Sequence, residues 1–453
     1  MSFFTSYELR LLNAMVVLHR PTRTALVEKT GFSLARISSL LTALERSGTV
    51  RKSGKTESKG GRPSSIFELH PDLGYTVGVA IHLKRLNIVM IDAREQIVYE
   101  RDAPLDLSSD PTSHFDGIVE AVSREVHHVL EESIAQRRVL GVGLAVPGLL
   151  DTRRGLWLQG LQLTGINHVN PARELEKRLG LPVFQEDITR SLACYEMLRG
   201  QGRGTSDFIL MHIDMGLGTA LVLNGEIYRG IHGVAGEFGH IPHPNSQYRC
   251  SCNNIGCLET IVSTPGILRM FQERLQEGVR STLQYYADEG NRLTLEAIRD
   301  AARDGDRFAR TTLDEIGHFI GDACAILIKL LNPGRIIISG PVCIFRDFLN
   351  DAIYQVLTRQ VFQEMLEDFK LSFADYRSNQ EAYGVALFAL ESYFRFKGDS
   401  GTNHQANRSS IADRGAVMPS PPRHEVQKTV SEYAPGWQKT IAAGKGSGAD
   451  SPA

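Results

Sequence analysis

Four residues carry the most specific chemistry in the chain: His240, Cys250, Cys252 and Cys257, in the spacing His-x9-Cys-x-Cys-x4-Cys. Three thiols and an imidazole form the closed four-donor set that structural zinc takes, with no position left open for catalysis. Asn253, Asn254 and Gly256 between the thiols suit tight turns. Such a cluster points to one structural zinc per chain rather than to disulfides. Zinc binds small modules with roughly 10–16 kcal/mol, enough to organise the segment that holds it. By spacing alone, His232 and His243 compete with His240 for the nitrogen position.

Two carboxylates flank this set, Glu237 in Gly236-Glu237-Phe238-Gly239-His240 and Glu259 in Cys257-Leu258-Glu259. Beside a metal-fixed imidazole they can accept hydrogen bonds from the vicinal hydroxyls of a polyol. The alternative is that they are ordinary surface charges or supports of the metal ligands, and spacing does not separate the two.

The elements that must position these groups begin after a different kind of module. The chain has 453 residues and a net charge of −2, but residues 1–70 hold 11 Lys and Arg against 5 Asp and Glu, while the remainder holds 39 against 47. A basic head on an acidic body invites a nucleic-acid partner for the head. Its pattern is a helix over 7–18, a second over 23–29 capped by Thr22, a turn at Gly31, and a third over 34–47 capped by Ser33. Ile37, Leu40, Leu41 and Leu44 then face inward, leaving Ala35, Ser39, Thr42 and Arg46 outward, flanked by Arg36 and Ser38. Two short strands near 49–52 and 66–69, joined by a basic turn with Lys59 and Arg62, complete a winged helix-turn-helix pattern. Ala35, Arg36, Ser38, Ser39, Thr42, Lys59 and Arg62 are the candidate DNA contacts; the rival reading is a small helical cap.

From about residue 75 strands alternate with helices, the texture of an α/β body in two lobes. Strands are expected at 76–81, 87–92, 139–146, 182–185, 207–214, 219–223 and 335–339. Helices are expected at 115–135, 170–179, 188–199, 308–331 and 380–397. Beyond Gly398 periodicity fades into Gly, Ser, Pro and Ala, and a disordered tail over 398–453 is expected. No apolar run is long enough to span a bilayer, and the first residues lack the pattern of a secretory signal, so a cytoplasmic protein without a membrane partner is expected.

The segments GEFGH, CSCNNIGCLE, VGLAVPGLLD at 142–151 and LNPGRIIISG at 331–340 resemble the signature segments of the ROK family, named for repressors, open reading frames and sugar kinases. The head, with TRTALVEKTGFSLARISSLLTALERSGTV and KGGRPSSIFEL, is similar to that of the family's NagC/XylR-type repressors. The resemblance covers about residues 7–397. It implies an actin-like, ribonuclease-H-like pair of lobes behind the winged helix, with sugar in the cleft between them. The implied boundaries are 1–72 for the head, 73–187 for the first lobe with 380–397 completing it, and 188–379 for the second. Glu237, His240, Glu259 and Asp187 would touch the sugar, Asp187 at the position of the kinases' base. Zinc would sit on His240, Cys250, Cys252 and Cys257, with Asn253 where the family usually has Gly. A homodimer or higher oligomer is implied as well.

Departures from the family pattern separate kinase from repressor. Family kinases carry Asp-x-Gly-Gly-Thr after the first strand of the lobe, where glycines admit ATP phosphates to the backbone. Here the run is Gly78-Val79-Ala80-Ile81-His82-Leu83-Lys84. His82 and Leu83 are expected to obstruct the phosphate cradle, and Ala80 cannot help to position magnesium. The second glycine turn survives in part as Asp214-Met215-Gly216-Leu217-Gly218-Thr219, and the usual Asn-Asp pair is Glu186-Asp187. The expected function is a sugar-responsive transcriptional regulator, a repressor without enzymatic activity, that leaves operator DNA when a sugar or sugar phosphate binds. A DNA-binding sugar kinase and a repressor controlled by a partner protein are the rivals.

Overall fold

Thr5, Thr22 and Ser33 each turn a side-chain oxygen onto a backbone N–H in the first turn of the helix that follows, and Glu8 closes a capping box with Thr5. The helices so started are α1 (Ser6–Leu18), α2 (Arg23–Thr30) and α3 (Leu34–Arg46). Gly31 ends α2 in the left-handed region at φ 69°, where a side chain would be strained. Strands β1 (Val50–Lys55) and β2 (Ser65–Leu69) pair antiparallel from Val50 opposite Leu69, forming the wing. The computed structural model describes residues 4–56, 63–133, 138–161, 163–287 and 292–399.

The body holds two five-stranded sheets of the same plan. In the first, β3 (Tyr75–Ile81), β4 (Arg85–Asp92) and β5 (Ile97–Pro104) form an antiparallel meander. Helix α4 (His114–Ser133) then leads to β6 (Val139–Val146), parallel to β3. A small sheet follows, of β7 (Leu149–Asp151), β8 (Leu156–Gln159) and β9 (Asn167–Val169). Helix α5 (Pro171–Leu179) leads to β10 (Val183–Asp187), parallel to β6, and helix α6 (Ile188–Leu198) leaves from its end.

The second sheet repeats the order. Strands β11 (Phe208–Ile213), β12 (Leu217–Leu223) and β13 (Glu226–Tyr228) make the meander. After α7 (Glu259–Val262), α8 (Thr264–Gln276), α9 (Leu295–Arg303) and α10 (Arg307–Leu331) comes β14 (Arg335–Ser339), parallel to β11. Helix α11 (Arg346–Gln360) leads to β15 (Lys370–Phe373), parallel to β14. The last helix, α12 (Gln380–Asp399), returns to the first sheet, where Thr76 Oγ1 donates to Ala386 O at 3.0 Å. Gly78 and Gly143 permit that approach, since a Cβ at either would collide with the backbone of Ala382 or Val385.

The apolar core of the head is continuous with the face of the first sheet and α12: Leu12, Leu26, Ile37, Leu41 and Phe67 pack in one cluster with Val89, Ile91 and Leu390. The expected strands and helices are present within a few residues. Strands β5, β7, β8, β9, β13 and β15 were not expected, and α12 includes Gly398 and Asp399, two positions assigned to a tail. Residues 400–453 lie outside the described residues. Among the described residues no helix is long and apolar enough to cross a membrane.

Candidate functional site

The loop after β13 turns through Phe238–His240 and then folds back on itself, with bridges pairing Pro242 with Cys257 and Arg249 with Ile255. This hairpin gathers the ligand atoms of His240, Cys250, Cys252 and Cys257 within 4.8 Å of one another. Cys252 Sγ lies 3.7 Å from Cys257 Sγ, and Cys250 Sγ 3.4 Å from His240 Nδ1. A tetrahedral ion with bonds of about 2.3 Å to sulfur needs donor separations of about 3.8 Å, so the set fits a tetrahedral metal. His243 is turned to α10, its Nε2 3.7 Å from Asp322. His232 is exposed and outside the cluster, which leaves His240 as the nitrogen donor. Asn253 adopts φ 72°, a left-handed conformation that Asn tolerates better than most residues, and so keeps the turn.

Each sheet ends several strands at one cavity of about 190 Å³. His82 follows β3, Asp187 closes β10 and caps α6, and Asp214 follows β11, so the cavity lies at carboxyl ends of strands, where open α/β sheets place their ligands. Asp187, Glu237, His240 and Glu259 all line it. Gly236, at φ 108° and packed onto Thr219 O, sets the turn that presents Glu237.

The imidazole of His240 faces two ways, Nδ1 to Cys250 and Nε2 to Glu237 Oε2 at 3.6 Å. Glu259 does the same: Oε2 accepts from Leu217 N at 3.0 Å in the glycine turn, while Oε1 lies 3.3 Å from Cys250 Sγ. Glu259 therefore touches the sulfur cluster and also lines the cavity. Desolvation by the cleft walls, then the charges of Asp187 and Glu259 against that of Arg190, push the Glu237 carboxyl up to about 7.

The sequence reading missed a buried ion cluster beneath this end. Arg190, in the first turn of α6, pairs with Glu186 at 2.7 Å and with Asp187, and Arg229 pairs with Glu186 at 2.6 Å. Burial by itself would raise the Glu186 carboxyl, but Arg190 and Arg229 overcome it and hold it below its ordinary range. Asp187 is partnered by Arg190 too, but burial, with the Glu186 charge beside it, raises its carboxyl above its ordinary range. The clue was available, because Arg190 stands three and four residues after the two acids at a helix start.

At the other end, His82, Leu83, His212 and Met215 line the cavity. Burial and Arg85 lower the His82 pKa to about 4, and burial with His82 beside it lowers that of His212 to about 3, so both rings are neutral near pH 7. Ala80 is fully buried within β3.

On the head, Ala35, Arg36, Ser39 and Thr42 are exposed along α3 and Ser38 is half-buried. The Arg36 guanidinium stacks 4.5 Å from the centre of the Tyr7 ring, and the Thr42 hydroxyl donates to Ser38 O at 2.8 Å. Lys59 and Arg62 lie outside the described residues.

Comparison with known proteins gives the family. The ROK family profile matches residues 76–392, and the chain belongs to that family. A xylose repressor from Caldicellulosiruptor bescii is 24% identical over 382 residues, covering 83% of this chain and 93% of the relative. The crystal structure of a ROK family transcriptional regulator, a homologue of the E. coli MLC protein, superposes with a TM-score of 0.71 at 26% identity, covering 86% of this chain and 99% of its own. A Streptomyces griseus ROK glucokinase in complex with glucose and AMPPNP superposes with a TM-score of 0.58 at 25% identity, covering 69% of this chain and 98% of the kinase.

Proposed function

We propose that the protein is a sugar-responsive transcriptional regulator, a repressor that holds operator DNA through its winged helix and releases it when a sugar or sugar phosphate enters the cleft. One observation carries this reading: a single cavity keeps the acid and imidazole groups of its sugar end while His82, Leu83 and Met215 wall its other end. Backbone N–H groups that would cradle nucleotide phosphates need glycine there, so phosphoryl transfer is disfavoured. The repressor and regulator relatives cover more of this chain than the glucokinase does, which agrees with a function that needs the head.

In this reading residues 1–72 form the DNA-binding head, 73–187 with 380–397 one lobe, and 188–379 the other. Zinc occupies His240, Cys250, Cys252 and Cys257 and fixes the His240 ring toward the cleft. Asp187, Glu237, His240 and Glu259 contact the sugar. Two heads of a dimer engage paired half-sites, and effector binding shifts the population toward a spacing that no longer fits them.

Helix α6 supports a coupling between cleft and head. Its cap, Asp187, lines the cavity, and its far end about 16 Å away carries Arg199, which pairs with Glu95 and with His19 of the head. His19 and Arg20 sit at φ 44° and 56°, a left-handed conformation costly for such residues; the Arg199 guanidinium donates to His19 Nδ1 at 2.7 Å, and Arg20 lies 3.6 Å from Glu68. The test is fluorescence anisotropy of the full chain on a duplex selected from a randomised library, titrated with sugars. Release by a sugar supports the reading, and DNA affinity indifferent to every sugar and sugar phosphate overturns it.

A further inference from the structure

The basic side chains of the head differ in how they are spent. Arg20 and Arg51 pair with Glu68, Lys52 pairs with Glu45, and the Arg10 guanidinium donates to Thr30 O at 2.9 Å. Arg36 is exposed, and among the described residues its side chain makes neither a hydrogen bond nor an ion pair. What it makes are ring contacts. Its guanidinium carbon lies 4.5 Å from the centre of the Tyr7 ring and 5.9 Å from that of Phe32. The two rings meet edge to face at 5.7 Å, and Phe32 is buried in the core of the head, so the platform under Arg36 is anchored. The Arg36 backbone is held as well, its N–H donating to Ser33 Oγ at 3.3 Å in the cap of α3.

Stacking uses the face of a guanidinium and leaves its N–H edge free, and that edge matches the oxygens of a phosphate. The place on the helix decides which part of DNA it meets. Ile37, Leu41 and Leu44 point into the core, while Ala35 and Ser39 stand near the middle of the exposed face. Small side chains there let α3 lie deep in a major groove. Arg36, about 100° around the helix from Ile37, leans instead to the flank that meets Tyr7 of α1. A side chain on that flank reaches the rim of the groove, where the strand backbone runs, and not the base edges on its floor. Glu8, the acid next to Tyr7, is spent on Thr5 N and Thr5 Oγ1 at 2.7 and 2.9 Å. Arg10, 4.9 Å from the Phe32 ring centre, adds a second positive charge around the same ring.

We propose that Arg36 grips a phosphate of the operator backbone and that Tyr7, on α1, is the residue that positions it. The inference deepens the reading of the head as the DNA-binding module and rests on it. Without the Tyr7 ring, Arg36 keeps its charge but loses its fixed direction, and more side-chain freedom must be given up on binding. Tyr7 thereby joins the DNA machinery without being one of the candidate contacts on α3.

The test uses the full chain on a duplex selected from a randomised library, with affinity read by anisotropy over a series of salt concentrations. Tyr7→Leu, which keeps an apolar contact on Phe32 but has no ring face, should weaken binding about three- to tenfold and lower the slope of log affinity against log salt by up to about one. Tyr7→Phe, which restores the ring, should stay within about twofold of wild type. In an Arg36→Ala background Tyr7→Leu should cost less than about twofold more, because the group it positions is gone. Duplexes carrying one uncharged methylphosphonate linkage at a time locate the phosphate: one position of the scan should weaken wild type about three- to tenfold and leave Arg36→Ala unaffected. Melting curves check each fold, and the methylphosphonate scan decides the matter even where Tyr7→Leu does not fold. Equal losses from Tyr7→Leu with and without Arg36 would make Tyr7 a packing residue and overturn the inference, as would a scan identical in wild type and Arg36→Ala. Both of those results leave the reading of the head standing. A wild-type chain that selects and binds no duplex overturns both.

Discussion

The two ends of the cleft are built from the same kind of element and finished differently. Each is formed where strands of a repeated sheet plan run out, at Asp187 and the Gly236 turn on one side and at His82 and Met215 on the other. The first end is held from behind by the hairpin of three cysteines and His240 and by the buried cluster of Glu186, Arg190 and Arg229. Its polar groups are oriented before any ligand arrives. The second end has bulky side chains where a phosphate cradle needs bare backbone. In the proposed reading recognition and chemistry are separable in one cavity of a fold shared with kinases, and fold alone does not decide activity.

The largest effect that would break this comparison comes from removing the support of the first end. Cys252→Ser should lose the metal and loosen the hairpin carrying His240 and Glu259, at several kcal/mol or a fall of about 10 °C in Tm. Metal analysis with calorimetric melting checks it, and zinc retained at one per chain would place the site elsewhere.

Glu237→Ala removes a cavity carboxylate that is not a sulfur-cluster ligand. A hydrogen bond to a charged group contributes about 1.5–3 kcal/mol, so the sugar concentration that releases DNA should rise by about one to two orders of magnitude, with metal content and sugar-free DNA affinity unchanged. An unchanged sugar response would make Glu237 structural.

A smaller effect is expected at the far end of α6. Arg199→Ala combined with Glu95→Gln, which avoids leaving a buried carboxylate unpaired, should reduce the coupling of sugar to DNA about two- to thirtyfold while sugar affinity in the absence of DNA holds. Equal coupling in wild type and variant, read by anisotropy at saturating sugar, would exclude α6 as the connection.

Arg36→Ala should weaken DNA binding several-fold across sequences and lower the slope of log affinity against log salt by about one. Salt titrations check this, and an unaltered slope would move the DNA face away from α3. The smallest expected effect is none at all. Restoring glycine at His82 and Leu83 together should leave sugar-dependent ADP release absent, because Ala80 and Met215 still deny magnesium and phosphate their contacts. Any measurable turnover in that variant would show that these two side chains alone separate the ends.

Local chemistry explains what the sequence made legible. Caps at Thr22 and Ser33, the inward period of Ile37, Leu41 and Leu44, and the Cys spacing are short-range signals, and each is found in place. Strands β5, β7, β8, β9, β13 and β15 were missed because they are short or lie at exposed edges, where the apolar run that marks a buried strand is absent; β5 is exposed at most of its residues. The partnering of Asp187 by Arg190 needed the strand end and helix start brought into register. The links of Arg199 to His19 and to Glu95 join segments far apart in sequence, which no local pattern reveals. The choice of His240 over His232 and His243 also needed the hairpin itself.

The central claim is that occupancy of this cleft controls DNA binding without turnover, and one measurement reaches it directly. Full-length protein on its selected duplex is titrated with neutral sugars in the presence of magnesium and ATP, with anisotropy and ADP release recorded on the same sample. The account predicts a fall in DNA affinity of at least about tenfold with no ADP formed. Sugar-dependent ADP release with DNA affinity unchanged would contradict it.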